Sequence, residues 1–333
     1  MDNVTHTLTG LMLARCGLNR LAPQATAALL LSSNLPDFDL VYYLGGSLTY
    51  LQYHRHWTHG LALAPLLALV NVGILWLLAR RFQSWKSGSW VRTYLISIVG
   101  IVVHILFDST NSYAVRAALP FNAEWFSSNI FFVFDPYILA VLLLAIAAPA
   151  ISGLVSSEIG GRKSTGRGWA VFALLFILSF GTWRFTLHQR AVETLESHVY
   201  PQGMARRVEA WPTPFSPFAW LGFVETDQSW GLYEFNLNVP FDPSAGNVGY
   251  RPQPNAALDK AWQSKEGRIY RDFARYAAWR VVPLTDPEGA VAVEANDLRF
   301  GVPGAKAFSF RVQYDKQGNV MDQEFHYGTP KTY

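Results

Sequence analysis

Four stretches of this chain, residues 60–79, 93–107, 136–157 and 168–183, contain no Asp, Glu, Lys or Arg. Crossing the hydrocarbon core of a bilayer takes roughly 20 residues of helix, so the first and third are long enough by themselves. The second and fourth are shorter, but they are flanked by Trp90 and Arg92 and by Trp169, Trp183 and Arg184. Aromatic rings and long basic side chains of this kind reach the headgroups. Two weaker apolar segments, 4–18 and 21–35, precede them across a turn with Arg20, Ala22 and Pro23. These read either as half-spanning segments or as an antiparallel pair inside the bundle. Only 15% of the 333 residues are charged, against about 25% in a soluble domain, which excludes a single soluble domain and also disorder.

From about Thr194 the composition turns polar and aromatic, with no apolar run long enough to span. Pro212, Pro214 and Pro217 punctuate a linker. After it, 232–239, 290–294 and 308–314 read as strands, and a Gly-containing turn at 315–319 leads into 320–327 as a hairpin with one buried face. Residues 255–280 read as helical with a break near Gly267. The expected fold is mainly α: a polytopic helical membrane bundle over residues 1–190, followed by a smaller extracytoplasmic α+β domain over 191–333. The single cysteine, Cys16, excludes an intramolecular disulfide framework. A net charge of +3 is too small to suggest a nucleic-acid partner. The amino end has no basic n-region, so no cleaved signal peptide is expected.

The basic residues orient the bundle. Arg80, Arg81, Lys86 and Arg92 follow the first long stretch without an acid, and Arg162, Lys163 and Arg167 accompany only Glu158. Both connections belong on the cytoplasmic side. The opposite loops, 37–59 and 108–130, are each acidic by one charge and are expected to face outward. The chain is therefore expected to be a multi-pass membrane protein with its C-terminal domain on the external side.

Five of the eight histidines lie within the first 104 residues, next to carboxylates. Four-residue spacing puts His104 and Asp108 on one helix face, where both can reach a single ion. The charge-derived topology also brings His6, the pair Asp37 and Asp39, and the run His54 to His59 to the same outer bilayer depth. Ionisable groups placed there are costly, and a functional site is their default explanation. A mixture of imidazole and carboxylate suits zinc, manganese or iron, and a set richer than four suggests two or more ions with bridging carboxylates. Ions of this kind bring the pKa of bound water from 15.7 toward about 7, and with no redox motif in the chain hydrolysis is the simplest use.

These residues carry a family resemblance. Asp2-x-x-Thr5-His6-x-x-x-Gly10, Leu35-Pro36-Asp37-x-Asp39, His54-Arg55-x-x-Thr58-His59, His104-x-x-x-Asp108 with Ser112-Tyr113, Pro120-Phe121 and Asp135-Pro136 resemble the YdjM-like family of membrane-bound metal-dependent hydrolases over roughly residues 1–190. More distantly, the pattern is similar to zinc-dependent phospholipase C, which implies a phosphoester as the substrate class. By that resemblance His6, Asp37, Asp39, His54, His59, His104 and Asp108 are the candidate ligands of a divalent metal, zinc foremost, and His56 falls where the motif is free.

Either Asp37 or Asp39 could instead be the general base, and Arg55 could hold a phosphate oxygen through its planar fork or anchor to headgroups. Asn111 and Tyr113 are candidate substrate contacts. Asp135 reads as a helix cap, and His188, His198 and His326 as surface residues. The expected partners are membrane lipid and a lipid-linked substrate. Two other readings stay open: an envelope protein that uses a metal only to tie helices together, and a metal or proton transporter. The transporter would place its ligands nearer the bilayer midplane.

Overall fold

A computed structural model describes residues 1–81, 89–158 and 166–328. Of the basic residues used to orient the bundle, Lys86, Arg162 and Lys163 lie outside the described residues. The chain forms two compact units. The first comprises Met1–Asp39, Arg55–Gln189 and Pro212–Pro217; the second comprises Leu40–His54, Arg190–Trp211 and Phe218–Tyr333.

The first unit is helical. It is built on α1 (Asn3–Arg15), α2 (Ala25–Ser32), α4 (Ala64–Arg81), α5 (Trp90–Asp108), α6 (Pro136–Glu158) and α7 (Arg167–Glu196), while α3 (Ser47–Tyr53) belongs to the second unit. Among the described residues four helical segments are long and apolar enough to cross a membrane: Leu61–Arg80, Trp90–Asp108, Pro136–Gly153 and Arg167–Glu196. They coincide with the four charge-free stretches, and the fourth runs on well past Trp183 as a single helix. Leu69, Leu77, Leu95, Leu106, Leu144 and Leu178 are exposed on their surfaces, the outer face expected of a bundle in lipid.

The two weaker segments, α1 and α2, pack inside as a pair. Ala14, Ala25, Ala28 and Leu29 meet Leu75 of α4 and Ile96 of α5, and Met12 of α1 meets Ile138 and Leu142 of α6 and Ala173 and Ile177 of α7. Between the helices Asn71 Nδ2 donates to Ala28 O (3.0 Å) and Ser97 Oγ (2.8 Å), the kind of buried polar link that joins helices where lipid offers no hydrogen bonds. Gly100 lets α2 and α5 approach closely, because a Cβ there would stand 1.9 Å from Ser32 Oγ. His188 is buried in α7, which corrects its expected surface position.

The second unit contains two four-stranded antiparallel sheets. One is β1 (Arg207–Pro212), β2 (Ala219–Glu225), β3 (Ser229–Asn236) and β4 (Asn247–Tyr250); the other is β5 (Ala277–Pro283), β6 (Val291–Asp297), β7 (Ser309–Tyr314) and β8 (Val320–His326), both in sequence order. The β7–β8 hairpin forms as read, with Phe310, Val312 and Tyr314 buried between partly exposed neighbours. The helical reading of 255–280 is corrected. Helices α8 (Ala256–Gln263) and α9 (Lys265–Phe273) break at Ser264, which caps α9 by accepting from Gly267 N (2.9 Å), and Ala277 onward is strand β5. Gly267 lies inside α9 because a Cβ there would sit 1.9 Å from Ala261 O. Ala278, Trp279 and Arg280 pair with Asn296, Ala295 and Glu294 of β6, and this tertiary pairing overrides local helical periodicity. Helix α3 packs on α9 and β8, with Tyr50 set edge-on to Tyr327 (4.9 Å).

Candidate metal centre

Three segments of the chain bring four side chains together. Asp37 comes from a 3-10 helix, Pro36–Gly45, that follows α2; His59 from the turn before α4; and His104 and Asp108 from the last turns of α5. One ligand atom from each of these four buried residues lies within 4.8 Å of all the others. His59 Nε2 is 3.1 Å from Asp108 Oδ2 and 3.2 Å from His104 Nε2, and His104 Nε2 is 3.4 Å from Asp108 Oδ2. Asp37 Oδ1 lies 3.6 Å from both imidazole nitrogens. A tetrahedral ion with ligand bonds near 2.0–2.1 Å requires ligand-to-ligand edges of roughly 3.3 Å, so the donor set fits such an ion.

The outer nitrogens point the same way. His104 Nδ1 donates to Ser33 O (2.8 Å), a contact that the close passage of α2 at Gly100 permits. His59 Nδ1 is 3.0 Å from Thr58 Oγ1, which donates onward to Asp39 Oδ2 (2.9 Å). With Nδ1 engaged, each ring presents Nε2 to the centre, the arrangement that fixes the tautomer of a metal-ligating histidine. Asp37 is oriented by Asn3, whose Nδ2 donates to its Oδ2 (2.9 Å).

Charge in the cluster is unevenly held. Burial opposes a charge on His59, but hydrogen bonds to Asp108, Asp37 and Asp39 outweigh it and push its pKa up to about 10. Burial also penalises the Asp37 carboxylate, yet hydrogen bonds from His104 and His59 hold it below the ordinary carboxylate range. His6 behaves oppositely: burial, with the neighbouring His104, brings it down to about 3. The cluster therefore attracts positive charge at its centre while leaving His6 neutral.

The remaining expected residues fall around this core. His6 stacks on His104 (3.9 Å between centroids) and its Nε2 lies 3.2 Å from Asp108 Oδ1, on the carboxylate's other oxygen. The Met1 amine contacts the same oxygen. Asp39 sits behind His59, accepting from Arg55 N (2.8 Å) as well as from Thr58. His54 is not among the four; its ring stacks on Tyr50 (4.4 Å) at the end of α3.

Arg55 is buried, with Nη2 donating to Asp108 Oδ1 (3.0 Å) and Nη1 to Asn111 Oδ1 (3.0 Å). Its φ of 55° is costly for a side chain with a Cβ, a strain typical of functional sites. Arg55 thus braces the Asp108 carboxylate and the Asn111 amide. Asn111 is fully buried, and among the described residues its Nδ2 has no hydrogen-bond partner. The Arg55 guanidinium lies 5.2 Å from the Tyr113 ring centroid. Asp135 caps α6 as read, accepting from Tyr137 N and Ile138 N.

Asn3 and Ser33 were missed by sequence reasoning. Asn3 stands in the first turn of α1, three residues before His6 on its own helical face, which was the available signal. Ser33 contributes only a backbone carbonyl, which no side-chain pattern reveals.

The chain belongs to the YdjM inner membrane protein family, whose model matches residues 1–191. It is 27% identical over 157 residues to the uncharacterized protein YfhP of Bacillus subtilis (strain 168), a match covering 44% of this chain and 46% of that protein. The chain thus spans about half the length of this curated relative. No solved structure matches.

Proposed function

We propose that the chain is a multi-pass, metal-dependent hydrolase of a bacterial inner membrane that cleaves an ester or phosphoester, with a lipid or lipid-linked molecule as substrate. The observation that carries this reading is the set of four ligand atoms spaced 3.1–3.6 Å along five of their six edges, with both histidines backed through Nδ1. Asp37, His59, His104 and Asp108 would hold the ion, and zinc suits two imidazoles with two carboxylates. The chemistry such an ion supplies when bound is Lewis acidity, which brings water toward a pKa of about 7 and polarises a substrate oxygen.

The chain's own residues do the rest. Arg55 keeps Asp108 oriented, and Asp39 and Ser33 hold the two imidazoles. Asn111 Nδ2, a buried donor beside Arg55, is suited to donate to a phosphoryl or carbonyl oxygen. Asp37 keeps some solvent exposure while the other three ligands have none, so substrate would approach from its side. In this reading the centre lies at the outer membrane face and the C-terminal residues are periplasmic.

The test is turnover by purified, metal-loaded protein of a panel of nitrophenyl esters, phosphodiesters and phospholipid micelles, each with and without chelator. Turnover of a phosphoester that chelation abolishes is expected. A fully loaded protein that turns over none of the panel would overturn the enzyme and leave a metal-tied envelope protein.

A further inference from the structure

The turn that carries Asp37 and Asp39 has a second face. The two carboxylates are 7% and 1% exposed, yet Phe38 between them is 71% exposed. The 3-10 helix Pro36–Gly45 runs for ten residues, where such helices seldom exceed three or four. At three residues per turn Phe38, Val41 and Leu44 form one row, and Leu44 is 89% exposed. Leu40, Tyr42 and Tyr43 are exposed beside them, and no Asp, Glu, Lys or Arg occurs between Asp39 and Arg55. A surface facing water would be expected to carry charge.

Neighbouring segments repeat the pattern. Asp39 ties the start of this helix to Arg55 and Thr58, and between them Trp57 is exposed. Leu61 N donates to Ala117 O (2.9 Å), which ties the same turn to the loop where Phe121 is 88% exposed. Three segments, hydrogen-bonded one to the next, each carry a large exposed apolar ring. Trp57 leads directly into the span Leu61–Arg80, so this surface is continuous along the chain with one suited to acyl chains. The mixture of Tyr and Trp with aliphatic residues is that of a membrane interface.

We infer that the Pro36–Gly45 helix and the rings of Trp57 and Phe121 are immersed in the lipid interface, with Phe38, Val41 and Leu44 among the acyl chains. Immersion of about 5–10 Å is typical of such interfacial segments. It sets the Asp37 carboxylate on the same turn at headgroup depth, so the substrate is a membrane amphiphile cleaved near its headgroup. The substrate half rests on the hydrolase reading above, whereas the immersion does not.

Spin labels test the immersion. Leu44→Cys in a Cys16→Ser background, with the full chain in phosphatidylethanolamine and phosphatidylglycerol nanodiscs, is compared with Leu69→Cys on a span and Lys316→Cys in the β7–β8 turn. Power saturation should show Leu44 accessible to oxygen and shielded from a nickel chelate, like Leu69 and unlike Lys316. Access of the nickel chelate equal to that at Lys316 would place the helix in water and overturn the inference. Exclusion of both reagents would mean a protein partner or a second copy covers the row, and would overturn it too. For the substrate half, Leu44→Asp should lower turnover of phospholipid vesicles roughly tenfold with metal content unchanged. Unchanged vesicle turnover, or none by the parent protein, would remove the amphiphile. In the second case a lipid-like Leu44 signal would show that the hydrolase reading failed while the immersion held.

Discussion

Asp297 in the second unit and Asp108 in the first are both completely buried, and the two are held in opposite ways. In the second unit Asp297 is answered by Arg299, two residues along the chain. Arg299 Nε donates to Oδ1 (3.0 Å) and Nη2 to Oδ2 (2.5 Å), while the guanidinium lies against the rings of Phe273 and Phe300. One acid meets one permanent cation inside a single turn. In the first unit Asp108 draws partners from much farther along the chain. Arg55 and His6 meet Oδ1, whereas Oδ2 faces His59 and His104, with Asp37 alongside. The charge balance on that side depends on protons or on an ion. A buried acid closed locally by arginine is a structural device; one left to titratable partners from distant segments is a site.

The largest test of this contrast is a pair of variants. His59→Ala with His104→Ala should lower the metal content of purified protein at least tenfold by mass spectrometry, since two of four ligands are lost. Arg299→Ala should leave metal content unchanged and cost ~3–5 kcal/mol of stability, read as a fall in thermal midpoint, because it strands a buried carboxylate. Equal metal content in the double variant and the parent would erase the distinction.

A smaller effect is expected behind the ligands. Asp39→Asn should weaken metal affinity about 10–100-fold while keeping the fold, the usual cost of losing the partner that orients a ligating histidine. Unchanged affinity would mean that Thr58 alone positions His59.

The mildest test is pH. Without metal, the His59 pKa is raised to about 10 from an ordinary 6.5. Its protonated form therefore contributes stability fully below about 6.5, and that contribution is lost as pH rises through about 10. An ion must displace this proton, so binding at pH 7 should release at least one proton per ion, and affinity should rise as pH rises. Calorimetry in buffers of different ionisation enthalpy reads the number directly. Binding without proton release would show that His59 is not a ligand.

Much of the bundle was legible because lipid imposes a simple condition: a spanning helix must be apolar along its length. The four charge-free stretches meet that condition residue by residue, and the helices follow them. The second unit was less legible. Its strands β3, β6, β7 and β8 carried alternation or turn signals, but the first half of β5 reads as helical and becomes strand only because Ala278, Trp279 and Arg280 pair with β6. At the centre, the spacing of His104 and Asp108 revealed one helix face, and His59 and Asp37 were named with them. The different place of Asp39 could not be read, because Asp37 and Asp39 are alike in sequence and only the position of Thr58 separates them. The same holds for Arg55, which braces Asp108 through a backbone conformation that no pattern signals.

The sequence by itself determined where apolar helices begin and end and which polar residues lie near their ends, since both follow from local composition. Only the tertiary structure decided which four atoms share one centre. That depends on Gly100 letting α2 pass close to α5, on the turn at Thr58, and on Asn3 reaching Asp37. Contacts of a few ångströms between residues tens of positions apart are set by packing, and packing is not written at any single position.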